Sequence, residues 1–143
     1  MDPKLLQFSA SIYNREGIRI VSKLSMEELS MSKYLVIYHA GKSAVKKISH
    51  SNSEEAKKGM EAWMTWAQKC GKGLLDMGAP LGYGQKVGKT GSTPSKRNVV
   101  GFSVLQAENM AKAKAMLKNH PHLKWAADCE IEVHEFLPLP GSK

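Results

Sequence analysis

The chain has 143 residues, 42% apolar and 24% charged, and a net charge of +8 at neutral pH. These are globular proportions for a single domain with its own hydrophobic core. No apolar run approaches the roughly 20 residues of a membrane span, and the first 30 residues lack the basic-then-apolar layout of a signal peptide. The expectation is a cytoplasmic protein with no membrane partner.

Residues 1–30 read differently from the rest. Residues 5–13 and 17–24 have the composition of two strands about a turn at Asn14, Arg15, Glu16 and Gly17. The segment is expected to be an N-terminal extension or leader that is poorly ordered or lies on a partner. The domain proper is expected over residues 31–141. It opens with an apolar run, Tyr34, Leu35, Val36, Ile37, Tyr38, His39, that suits a central strand. Ser51 and Glu54 fit a capping box for a helix. Along that helix Ala56, Met60, Trp63, Met64, Ala67 and Cys70 recur at helical spacing, with Trp66 widening the stripe. Core packing explains the stripe better than an aromatic ligand box does. Gly71 and Gly73 stop the helix.

Residues 74–81 form a short second strand interrupted by Gly78 and Pro80. Residues 82–95, rich in Gly, Lys, Ser and Thr, read as a loop or hairpin tip. A third strand is predicted over residues 99–105. Met110, Ala113, Met116 and Leu117 give a second helix its apolar face, and His120-Pro121 ends it. Residues 130–137 are the fourth strand. The order is βαββαβ, an α+β fold. Cys70 and Cys129 fall at apolar positions and are expected to be reduced core thiols.

Several motifs fail on inspection. Gly88-Lys89-Thr90 ends like a phosphate-binding loop, but Tyr83 stands where the first glycine is required, and no helix can open across Gly91-Ser92-Thr93-Pro94. The positive charge and the βαββαβ order invite an RNA-binding reading. The third strand, however, offers one aromatic, Phe102, and lacks a basic-glycine opening. Nucleic-acid binding through the basic stretch Lys86, Lys89, Lys96 and Arg97 therefore ranks low. None of His39, His50, His120, His122 and His134 has a partner at helical ligand spacing, and no Cys-x-x-Cys occurs. No metal or cofactor is called for. His120 and His122, flanking the proline, suit a cap on the preceding helix C-terminus.

The last strand is the most telling segment. Alternation separates Ile131 and Val133, the core face, from Glu130, Glu132, His134 and Phe136. A carboxylate and an imidazole two residues apart can set each other's proton affinity, which suits proton transfer if that face lines a cavity. The bland alternative is a solvated face.

The segments MSKYLVIYHAG, GKGLLDMGAPLG, VVGFSVLQAENMAKAKAMLKNHP and CEIEVHEFLPL resemble the YCII-related family (YciI-like, DGPF-domain proteins) over residues 31–141. The resemblance implies a ferredoxin-like subunit forming a homodimer, a dimeric α/β barrel whose two sheets pack face to face. Such packing would enclose Glu132 and His134 in a shared lumen and keep Tyr38 and Phe136 out of water. The better-known branch has a His in the first helix, near Met60 here, and an Asp before the proline after the second helix, where this chain has His120. The Asp-Gly-Pro-Phe stretch is absent, so that catalytic pair does not transfer. The catalytic candidates are His134, Glu132, His120, His39 and Tyr38. The expected function is a small-molecule enzyme or binder using acid–base chemistry in a pocket, with a small organic acid as ligand. A non-catalytic ligand-binding or protein-interaction module is the alternative.

Overall fold

The structure, a computed structural model, describes residues 7–13, 19–25, 31–44 and 52–141. The elements are β1 (Gln7–Tyr13), β2 (Arg19–Ser25), β3 (Ser32–His39), α1 (Ser53–Cys70), β4 (Leu74–Asp76), β5 (Gln85–Gly88), β6 (Gly91–Pro94), β7 (Val99–Ala107), α2 (Met110–Met116), α3 (Pro121–Trp125) and β8 (Glu130–Glu135). β1 and β2 pair antiparallel from Gln7 opposite Ser25 to Tyr13 opposite Arg19. The turn expected at residues 14–17 lies outside the described residues.

Four strands make one antiparallel sheet in the order β4-β7-β3-β8. The first and third strands of the βαββαβ unit hold the centre, an arrangement compatible with a ferredoxin-like fold. Tyr34, Val36 and Tyr38 of β3 and Leu105 and Ala107 of β7 are buried. They form the main core with Trp66 of α1, Ala113 of α2 and Leu117 at its C-terminal end. The intervening β3 residues Leu35 and Ile37 lie on the other face, opposite Val104 and Phe102 of β7. All four are only half-buried.

This corrects the expected place of Tyr38. It is 2% exposed and faces the helices, so no second sheet is needed to keep it from water. Phe136, by contrast, is exposed just beyond β8.

α1 begins at Asn52, one residue later than the Ser51 cap expected from the sequence. The Asn52 Oδ1 accepts the Glu55 N–H at 2.9 Å, satisfying one of the helix's unpaired donors. Ser51 lies outside the described residues. Gly71, at φ 53, closes the helix, its N–H donating to the Ala67 carbonyl. The apolar stripe is only partly a core stripe. Trp66 is buried and Trp63, Ala67 and Cys70 lie against the core, but Met60 and Met64 are exposed. The stripe's C-terminal half reaches the sheet and its N-terminal half does not.

Beyond α1 a single 3-10 turn, Gly71–Gly73, leads into β4. The interruption expected at Gly78 has a steric cause. Gly78, at φ 81, runs against the Phe102 backbone where no Cβ fits, and its N–H donates to the Asp76 Oδ1 at 2.8 Å. Residues 82–95 contain an ordered hairpin, β5 with β6, registered from Gln85 opposite Pro94 to Gly88 opposite Gly91.

α2 is capped by Asn109, whose Oδ1 accepts the Lys112 N–H at 2.9 Å. It ends before the proline, with Asn119 left-handed at φ 61. Pro121 then opens α3 at its first position, where a missing N–H costs nothing. The sequence reading assigned this stretch only a helix stop.

Candidate functional site

The sheet divides the five candidate residues into two groups. His39, Glu132 and His134 lie on the face away from the helices. Tyr38 and His120 lie beneath the helices.

The open-face group follows from register. Leu35 lies opposite His134, Ile37 opposite Glu132 and His39 opposite Glu130. Paired residues share a face, so the charged side chains of edge strand β8 stand beside the apolar side chains of β3. The Glu132 carboxylate bridges two imidazoles. One oxygen is 2.7 Å from His134 Nε2, and the other is 2.9 Å from His39 Nε2. The His134 contact is a hydrogen bond, with Nε2–H donating to Oε2. The His39 contact is close but off-line, leaving a buried Nε2 without a hydrogen-bond partner. His134 and Glu132 are roughly half exposed, whereas His39 is largely covered.

His39 is held by its surroundings. A ring nitrogen facing a carbonyl must donate, so its Nδ1–H points to the Arg97 carbonyl at 2.8 Å. That fixes the Nδ1 proton and aims Nε2 at Glu132. A β-bulge between Tyr38 and His39 shifts the register so that His39 meets Val99. The Ala40 N–H donates to the Asn98 carbonyl at 3.0 Å. The hydrogen bond from His134 holds the Glu132 carboxyl below its ordinary range; desolvation opposes this, and the nearby His39 adds a smaller lowering effect.

A cleft of about 450 Å³ opens beside His39, Arg97, Asp128, Glu130 and Glu132. Its wall is tied by Asp128, which accepts the Ser43 hydroxyl at 2.6 Å and the Ser43 N–H at 3.1 Å. A Cβ at Gly41 would overlap the Asp128 side chain and push it from this position. Chemically, a carboxylate between two imidazoles can take up or release a proton next to a ligand in the cleft.

The second group is a sealed polar chain. His120 Nδ1 accepts the His122 N–H at 3.0 Å, placing the His120 proton on Nε2. That nitrogen faces the Tyr38 hydroxyl at 3.4 Å. The Ser103 hydroxyl donates to the Met77 carbonyl at 2.8 Å, so Tyr38 donates to Ser103 at 2.9 Å. Trp66 and Trp63 close over the His120 ring at centroid distances of 4.3 and 4.6 Å. Burial pushes the Tyr38 hydroxyl up to about 12, partly offset by Ser103. Burial pushes His120 down to about 4, and His122 adds to it. A neutral His120 therefore caps the following helix α3 rather than serving as a cation on the preceding one.

The sequence reading did not single out Ser103 or the Arg97 carbonyl. Ser103 was visible as the one hydroxyl within the apolar β7 strand. The Arg97 carbonyl carried no sequence signal. His122 was noted only as a cap, yet it links the two groups, its Nε2–H donating to the His39 carbonyl at 2.7 Å.

The model of the YCII-related domain matches residues 32–137, and the chain belongs to the YCII-related family. Among curated proteins, none matches the chain. Among the described residues, no helix is long and apolar enough to cross a membrane.

Proposed function

We propose that this protein is a cytoplasmic small-molecule enzyme or binder whose acid–base group is Glu132 with His39 and His134. The observation that carries the reading is the Glu132 carboxylate, 2.7 Å from His134 and 2.9 Å from His39, with Glu132 and His39 lining a cleft and His134 behind Glu132, outside the lining. In this reading Glu132 and His39 exchange a proton with the ligand, as an elimination or isomerisation requires, and His134 holds the Glu132 carboxylate. Arg97 lines the cleft beside the carboxylates of Asp128, Glu130 and Glu132 and supplies the counter-charge for a small organic acid. Tyr38 and His120 sit on the far side of the sheet, sealed among tryptophans, and act as support. Residues 31–141 form the working domain, with residues 1–30 an extension to it.

The working form is a homodimer, with two sheets face to face as a dimeric α/β barrel. Leu35, Ile37, Phe102 and Val104 support this, because they form a half-buried apolar patch on a sheet face that no helix among the described residues covers. The same patch favours the second reading, a non-catalytic binding or interaction module. Phosphate-backbone binding through Lys86 and Lys89 of the hairpin ranks third, and its sign would be affinity that falls steeply with salt.

A thermal-shift series with small organic acids separates the first two readings. A ligand that binds only the folded state raises the melting temperature. At least one acid should raise it for the wild type, while Glu132→Gln and His134→Gln should melt normally and lose that rise. A rise that survives both substitutions, or no rise with any acid, would count for the interaction module.

A further inference from the structure

A hollow of about 930 Å³, larger than the open-face cleft, lies on the helical side between α1 and α2. None of His39, Glu132 and His134 lines it, so it is separate from the site proposed above. Its size falls within the roughly 300–1,000 Å³ typical of small-molecule pockets.

The local sequence explains why the hollow exists and what it favours. Ala62 on α1 and Ala115 on α2 both line it and are exposed. Two methyl groups leave a gap where longer side chains would meet. The Trp66 indole N–H donates to the Met116 carbonyl at 2.9 Å, tying the two helices at a fixed separation. With that N–H satisfied, the lining that Trp66 and Met116 supply is apolar. The rim is charged with one sign in excess. Lys69, Lys112, Lys118 and Lys124 face a single carboxylate, Glu108.

We propose that this groove binds an organic anion with an apolar body, its acid group among the lysines and its chain along the Trp66–Met116 floor. The lysines favour the anion over a cation of the same shape. The floor favours an alkyl or aryl body over a small hydrophilic acid, because covering it removes apolar surface from water.

Calorimetric titration of the full chain with decanoate, below its micelle concentration, tests this. Saturable binding at one site is expected, with no binding of decyltrimethylammonium and weaker binding as salt is raised. Ala115→Trp, at an exposed position, should keep the melting temperature and lose binding; Ala62→Trp fills the same gap from the facing helix. Lys69→Glu combined with Lys118→Glu should weaken decanoate by about tenfold or more. His134→Gln should bind decanoate like the wild type, which separates this site from the open face. Absence of decanoate binding, equal binding of the ammonium, or wild-type affinity in both tryptophan variants would overturn the proposal.

Discussion

His120 is fully buried, and its ring lies 4.3 to 5.1 Å from those of Trp66, Trp63 and Tyr38. Its folded-state proton affinity is depressed from the ordinary 6.5 to about 4. Between those values the unfolded chain holds the proton and the folded chain does not, so protonation favours unfolding. The stability associated with neutral His120 is intact above pH 6.5 and is lost as pH falls toward about 4. The difference corresponds to on the order of 3 kcal/mol. Urea unfolding of wild type and His120→Asn across this range should show the wild type losing more stability on acidification. Parallel pH profiles would contradict the assignment. His122 shifts in the same direction by burial, against the carbonyls of His39 and Glu130, so part of the slope should persist in the variant. The sequence made these residues visible as candidates but not their roles. Tyr34, Val36 and Tyr38 alternate with Leu35 and Ile37, so both faces of β3 are apolar and alternation could not say which one meets the helices. Strand β8 had that contrast, and Glu132 and His134 do share the face opposite Ile131 and Val133.

At the scale of elements, local chemistry sets the boundaries. Asn109 starts α2 through one side-chain bond to the Lys112 N–H. Asn109→Ala should cost about 1 kcal/mol in urea unfolding, and a loss no larger than the scatter among surface variants would show that the cap contributes nothing. Gly78 is a harsher case. Any side chain there meets the Phe102 backbone at a left-handed φ of 81. Gly78→Ala should destabilise by roughly 3 kcal/mol or more, combining overlap with backbone strain; a change under 1 kcal/mol would contradict the close approach. Strands β3, β7 and β8 and both longer helices were legible because their apolar patterns run for several turns or alternations, whereas β5 and β6 carry no such pattern. Helix α3, Pro121–Trp125, was not, because five residues are too few to establish a period. The cap of α1 was misread by one position, since Ser51, Asn52 and Ser53 are all competent caps and sequence alone does not choose among them.

For the whole molecule, a four-stranded antiparallel sheet carries helices on one face and leaves the other half apolar. Order and pattern made that layering readable. The meeting of His39 with Glu132 was not readable, because it depends on a bulge at Tyr38 and on a main-chain carbonyl at Arg97. In the proposed homodimer the open face, with Glu132 and its two histidines, becomes the wall of a chamber shared by two copies. Sedimentation velocity at micromolar protein tests it most directly, comparing wild type with Ile37→Glu, a change confined to that face. A dimeric wild type and a folded, monomeric Ile37→Glu are expected. A wild type that sediments only as a monomer, or an Ile37→Glu variant that remains dimeric, would contradict it.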